Sequence, residues 1–184
     1  MEILSGEPTS TPGVVEDLST TVVRAEPFDA FYGREMPKLV ALARALCGPA
    51  IAEDIAQEAL LAAYRRWDDV ARFDEPGLWV RRVCVNLATS FLRRRTIEAR
   101  SVLRLAGRRT FPDMLPEHET FWSHVRALPR RQAQAVALRY VYDLSVADVA
   151  ATLGCSEGAA KVHLSRGRQA LGRLIAADVE EDLS

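Results

Sequence analysis

The stretch LSVADVAATLGCSEGAAKVHLSRGRQAL, residues 144–171, sets Lys161, Arg166 and Arg168 on a helical pattern that starts as soon as another stops, at Leu153-Gly154-Cys155-Ser156. Cations on such a helix suit phosphate oxygens, and an arginine there matches the paired acceptors of guanine in a major groove. Side chains for covalent or metal chemistry are sparse by comparison. His118, His124 and His163 have no ligand partners at metal spacing, and neither a Gly-rich phosphate loop nor a Ser/His/Asp signature occurs. Cys47, Cys84 and Cys155 are odd in number, far apart and set in apolar helical surroundings, the pattern of reduced core thiols rather than a disulfide framework or a CxxC site. The chain is therefore expected not to be an enzyme, and to use no cofactor, metal or small-molecule substrate.

Charge points the same way once it is divided along the chain. The net charge of the 184 residues is −1. Residues 121–174 carry eight basic and three acidic groups and residues 28–95 eleven and nine, whereas residues 1–27 carry one and five and residues 175–184 none and four. A basic C-terminal unit thus lies between acidic ends, and a basic unit suits phosphates. Hydrophobic residues make up 48% of the chain, enough to build cores. No apolar run reaches the roughly 18 residues of a membrane-spanning helix. The N-terminus MEILSGEPTSTPG has neither the basic start nor the apolar core of a signal peptide, so a cytoplasmic protein without a membrane partner is expected.

Helical periodicity and breakers organise the rest. Residues 1–27 are rich in Ser, Thr, Pro and Gly and read as a mobile extension. Phe28 to Leu46 is helical with a bend expected at Pro37, and Gly48-Pro49 ends it. From Ala50 to about Trp67, Ile51, Ile55, Ala59 and Ala62 form one stripe, leaving Asp54, Gln57 and Glu58 off it. Asp68 to Asp74 reads as a loop. Asp74 then caps a helix with Pro76 in its first turn, whose inward stripe is Trp79, Val83, Leu87 and Ser90 or Phe91, ending near Arg95. Periodicity weakens over residues 96–117, where Gly107, Pro112 and Pro116 mark a linker. Residues 118–177 form a second helical unit, and residues 178–184 an acidic tail. The fold class is all-α: two small helical domains joined by a flexible linker, the C-terminal one a helix-turn-helix.

That last unit is the most specified. Pro129 opens a helix to about Tyr142, and Ser145 with Asp148 makes a capping box for the next one. Gly154 takes the left-handed conformation that ends it, and Ser156 caps its successor at once. Two helices so joined cross steeply, with Ala150 as the small residue at the crossing and Val149 and Leu153 as the apolar floor. On the second helix Ala160, Leu164, Gly167, Leu171 and Leu174 share the inward arc. Val162, Ser165, Arg166 and Gln169 lie opposite, flanked by Lys161 and His163. Such a face either enters a major groove or is the solvated side of an ordinary helical hairpin.

With these residues in hand, LPRRQAQAVALRYVYDLSVADVAATLGCSEGAAKVHLSRGRQAL resembles region four of the extracytoplasmic-function group of bacterial sigma factors. FDAFYGREMPKLVALARALCGPAIAEDIAQEALLAAYRRW together with LWVRRVCVNLATSFLRRR resembles region two of the same group. The likeness covers about residues 28–95 and 118–175 in the family's order, with its linker between.

The resemblance implies a sigma factor that binds core RNA polymerase and promoter DNA and nucleates promoter melting. Asp54, Gln57, Glu58 and Leu61 would meet the clamp helices of the polymerase's largest subunit. Phe73, Arg81, Arg82, Asn86, Ser90, Arg93 and Arg94 would engage the minus-ten element, Asn86 and Ser90 near a flipped base and the arginines on the backbone. Lys161, Val162, His163, Ser165, Arg166 and Arg168 would read the minus-thirty-five element, with Arg139 on phosphate. The linker would thread through polymerase toward the RNA exit path, and an anti-sigma factor is an expected partner. Val162, Ala160, Gly167 and Ser90 depart from the usual choices, so no promoter sequence carries over. Two other readings stand beside this one: a helix-turn-helix regulator independent of core polymerase, and an adaptor whose helices bind only protein.

Overall fold

The computed structural model describes residues 26–101 and 116–182, and within them every regular element is a helix. In order these are α1 (Phe28–Cys47), α2 (Pro49–Tyr64), α3 (Trp67–Val70), α4 (Pro76–Ser101), α5 (Pro116–Ala127), α6 (Arg130–Tyr142), α7 (Val146–Leu153) and α8 (Glu157–Asp182). The expectations for the N-terminal extension and for most of the linker, including its path through polymerase, fall outside the described residues.

Local chemistry sets the boundaries. Helix α1 tolerates Pro37 within its 20 residues and stops at Gly48, whose neighbour Pro49 opens α2. The first bonds of α4 run from the Leu78 and Trp79 amides to the Glu75 carbonyl, so the helix is entered one residue later than a cap at Asp74 would require. The single-turn α3 runs into the expected loop at 68–74, pinned by the fully buried Val70. Helix α4 continues to Ser101, into the span expected as linker, and α8 continues to Asp182, through the span expected as a tail. There Asp178 Oδ2 lies 2.7 Å from His124 Nε2, which ties the end of α8 to α5.

The α1–α4 group and the α5–α8 group share a core. One cluster of buried side chains runs from Phe31, Leu39 and Leu42 of α1 through Ile55 and Leu60 of α2 and Val80 and Cys84 of α4. It continues without a break to Ala135 and Leu138 of α6, Val149 and Leu153 of α7 and Leu164 of α8. Helix α6 explains the continuity. Its residues Ala133 through Leu138 are all buried, and a helix covered all round needs neighbours on two sides. One side meets α8 and the other meets α1. For the same reason the buried arc of α4 is wider than the stripe read from sequence: Val80, Cys84, Val85 and Ala88 are buried while Trp79, Val83, Leu87 and Phe91 flank them.

Polar contacts bridge the two groups where the core ends. The Gln134 amide, itself buried, donates to Thr89 Oγ1 at 2.8 Å. Arg126 Nη1 donates to the Arg44 carbonyl near the end of α1 at 3.2 Å, and Arg82 Nε donates to the Thr152 carbonyl near the end of α7, also at 3.2 Å. Each group thus lends an arginine to the C-terminus of a helix in the other, where the dipole is negative.

Gly167 is where α8 crosses α6. A methyl group there would meet Val136 Cγ2 at 2.8 Å and Gln132 Cβ at 3.5 Å, and Val136 is fully buried and cannot swing away. Gly172 on the same helix has nothing within 4 Å of that position. Urea unfolding should therefore separate two chemically identical changes. Gly172→Ala gains about 1 kcal/mol from helix propensity, whereas at Gly167→Ala overpacking of about 1–3 kcal/mol outweighs that gain. Equal shifts in both variants would contradict the close crossing.

Candidate nucleic-acid and polymerase interfaces

The helix-turn-helix forms as its sequence dictates. Ser145 Oγ accepts from the Asp148 amide at 3.1 Å while the Asp148 carboxylate accepts from the Ser145 amide at 3.3 Å, closing the capping box. Gly154 stands at φ 64°, ψ 43°, and the Cys155 amide returns to the Ala150 carbonyl at 3.0 Å. Ser156 Oγ then accepts from the Ala159 amide at 3.2 Å, so α8 begins at Glu157, three residues after Gly154. Arg131 Nη1 bonds the Leu153 carbonyl at 3.2 Å and closes the end of α7 from within its own group.

This geometry fixes which way α8 faces. Ala160, Leu164, Gly167 and Leu171 are buried; Lys161, Val162, Arg166, Arg168 and Gln169 are exposed, with His163 and Ser165 half-buried at the edges. Three of the exposed residues are cationic, and Val162, 45% exposed, is an apolar tip among them. Arg139, Lys161 and Arg168 come together around a notch of about 540 Å³ that also takes in Tyr140, Ser145 and Val146 at the start of α7. Arg139 donates to the Leu144 carbonyl and lies 3.6 Å from Asp143, so its guanidinium is already oriented. Tyr140, 54% exposed, escaped the sequence reading because its position on α6 gives no sign of the notch that α7 and α8 build beside it.

A second surface lies on α1 and α2. Asp54, Gln57, Glu58 and Leu61 are exposed along α2 and border a groove of about 690 Å³ whose other walls are Phe28, Asp29, Tyr32, Leu60 and Tyr64. The four residues singled out in α2 are thus brought onto one wall. The aromatic wall was missed, since Phe28 and Tyr32 join it only through the pairing of α1 with α2. Phe28 packs on Tyr64 at 4.9 Å between ring centroids and edge-on to Trp67 at 5.2 Å. The groove combines acid and exposed aromatic area, which suits a basic and apolar partner better than phosphate.

The third set is divided. Asn86, Ser90, Arg93 and Arg94 are exposed on α4, and Phe73 is 42% exposed in the turn before it. Arg81 and Arg82, grouped with them by sequence, point elsewhere. Arg82 donates to the Thr152 and Ala151 carbonyls of α7. The Arg81 side chain is 11% exposed, lies over the Tyr142 ring at 5.1 Å and reaches Glu75 at 3.7 Å. The seam between the two groups runs across this part of α4: it encloses the Arg81 guanidinium, whereas Arg82 stays exposed with its guanidinium turned to α7. Tyr142 is half-buried there, its hydroxyl enclosed beside Glu35; burial first, and then the Glu35 carboxylate, raise its phenol above the ordinary tyrosine range.

Comparisons with known proteins agree with this architecture. The model for "Sigma-70 region 2" matches residues 31–97 and that for "Sigma-70, region 4" matches residues 120–171. The RNA polymerase sigma-E factor of Streptomyces avermitilis is 30% identical over 80% of this chain and 82% of its own. The ECF RNA polymerase sigma factor EcfG of Rhodopseudomonas palustris is 30% identical over 80% and 84%. Among solved structures, the sigma factor RpoE of Bartonella quintana, determined in complex with the anti-sigma factor NepR, superposes with a TM-score of 0.69 at 25% identity, covering 82% of this chain and 98% of that one. The chain belongs to the extracytoplasmic-function sigma factors of the sigma-70 family. Members act in transcription initiation, and the family is not one of enzymes. Among the described residues no helix is long and apolar enough to cross a membrane, and no group of three or more His, Cys, Asp or Glu side chains is placed to hold a metal ion.

The cysteines are free, two of them deep in the core. Burial pushes the Cys47 thiol up to about 11 and the Cys84 thiol up to about 12, so both stay protonated and unreactive near neutral pH. Cys155, in the turn of the helix-turn-helix, is half-buried and the most accessible of the three. Alkylation of the native chain at pH 8 should modify one thiol rapidly, and Cys155→Ser should remove that reaction. Rapid modification of two or three thiols would show a core more open than described.

Proposed function

We propose that this sigma factor divides its work among three surfaces. Helix α8 docks in the major groove of the minus-thirty-five element through Lys161, Val162, His163, Ser165, Arg166 and Arg168, with Arg139 on phosphate. Phe73, Asn86 and Ser90 capture the minus-ten element while Arg82, Arg93 and Arg94, the exposed arginines of this part of α4, hold its backbone. The groove lined by Asp54, Gln57, Glu58 and Leu61 takes the clamp helices of core RNA polymerase. The observation that carries the reading is the two-sided α8, whose apolar arc is spent in the core while its cationic arc faces solvent directly after a capped turn.

Energetics assign melting to the assembly. With stacking near 1.4 kcal/mol per step, opening about ten steps costs on the order of 14 kcal/mol, whereas one captured base returns only a few kcal/mol. The chain supplies sequence choice and nucleation; core polymerase supplies the remaining interactions and the chemistry of RNA synthesis, in the cytoplasm. An anti-sigma factor, the kind of partner carried by the Bartonella relative, is the expected inhibitor. A regulator acting without core polymerase would leave the acidic and aromatic groove on α2 without a role.

Two substitutions separate the surfaces. Arg166→Ala should reduce promoter use through the upstream element by about 1–3 kcal/mol of discrimination and leave the affinity for core polymerase unchanged. Asp54→Ala should weaken core association, most at low salt, and leave upstream discrimination intact. Measured by equilibrium binding to core and by transcription from matched promoters, equal losses of core binding in both variants would overturn the assignment.

A further inference from the structure

A cavity of about 270 Å³ opens where α1, α4, α5 and α6 meet, and Arg93 alone of its lining belongs to a surface already described. Its apolar wall is drawn from all four elements: Leu46 near the end of α1, Ala88 of α4, Leu128 just after α5 and Ala133 of α6, each of them buried. Three guanidiniums complete the lining, those of Arg93, Arg126 and Arg130. Arg93 and Arg130 are exposed and Arg126 is half-buried, so the cavity has an apolar floor and a cationic mouth. We propose that it binds a small amphiphilic anion, a short apolar body that carries a carboxylate or a phosphate monoester.

Charge and volume select that class. Among the described residues no Asp or Glu lines the cavity, so its cations converge on one mouth without an acid between them. Arg126 is held in place by the Arg44 carbonyl and the Glu119 carboxylate, whereas Arg93 and Arg130 have no hydrogen bond or ion pair to another described residue. Guanidiniums so placed match the paired oxygens of a carboxylate or a phosphate. The polar side chains of Thr89 and Gln134, also on the wall, are bonded to each other and make no demand on the occupant. A strand of nucleic acid would use the mouth and leave the floor empty; a neutral apolar molecule would fill the floor and leave the arginines unpaired. The space is that of about nine water molecules at about 30 Å³ each, just under the range of drug-sized sites, which suits a chain of about eight carbons.

The test uses the full chain alone, so it is decided without reference to promoter or polymerase. Octanoate, octyl phosphate and octan-1-ol are titrated calorimetrically below the concentrations at which they self-associate, and the melting temperature is followed alongside. At least one of the two anions should bind with a stoichiometry of one and raise the melting temperature with its concentration, and the head that binds more tightly tells a carboxylate ligand from a phosphate ester. Octan-1-ol should bind about tenfold more weakly, the difference made by one charge-assisted hydrogen bond, and only the anions should weaken as salt is added. Arg130→Gln, at an exposed position outside the promoter and polymerase surfaces, should weaken anion binding about tenfold and leave octan-1-ol unchanged. Ala133→Leu narrows the floor and should abolish binding of all three, which separates this cavity from the cationic notch beside α8; Arg130→Gln decides the matter by itself should Ala133→Leu lose helix content. No saturable binding of either anion, as when the chain's own residues 102–115 fill the space, would overturn the site. So would octan-1-ol binding as tightly as the anions, or anion binding that survives both substitutions.

Discussion

The left-handed turn at Gly154 is the constraint from which the arrangement follows. A side chain at φ 64° would be strained, and without that turn α7 would run on past Leu153. Because it stops there, α8 starts at once from the Ser156 cap and must cross the floor of Val149 and Leu153. Its phase is then fixed. Ala160, Leu164 and Leu171 go down into the core, and Lys161, Val162 and Arg166 come up.

The same economy governs the other side of the molecule. Helix α4 is shared: one arc supports α1 and α2, another touches α7, and a third remains in solvent with Asn86, Ser90, Arg93 and Arg94. Shared burial raises the stability of both groups without a large core in either, which matters for units of this size. The cost is that part of a charged face is drawn into the seam, where Arg81 is enclosed and Arg82, still exposed, is bonded to α7. The acidic and aromatic groove between α1 and α2 lies apart from the residues of this seam.

Much of this was legible in the sequence, for identifiable reasons. The capping box at Ser145 and Asp148, the stop at Gly154, the cap at Ser156 and the inward arc of α8 are local, decided by residues within one or two turns of each other. The exposure of Asp54, Gln57 and Glu58 follows from helical phase alone. What was not legible depends on residues distant in the chain. The buried arc of α4 was read about one residue off because α7 covers a side that the α1–α2 pairing does not. Arg81 and Arg82 read as free cations because nothing near them announces that Tyr142 and the end of α7, some sixty to seventy residues on, supply their partners. The departure at Gly167 likewise became intelligible only when Val136 of α6 was seen against it.

The most direct measurement is run-off transcription by purified core RNA polymerase from a pool of randomised promoters, with and without this chain. The account predicts transcripts that depend on the chain and arise from templates sharing two sequence elements at a constant separation. A chain that binds duplex DNA by itself yet neither associates with core polymerase nor directs any transcript would contradict it.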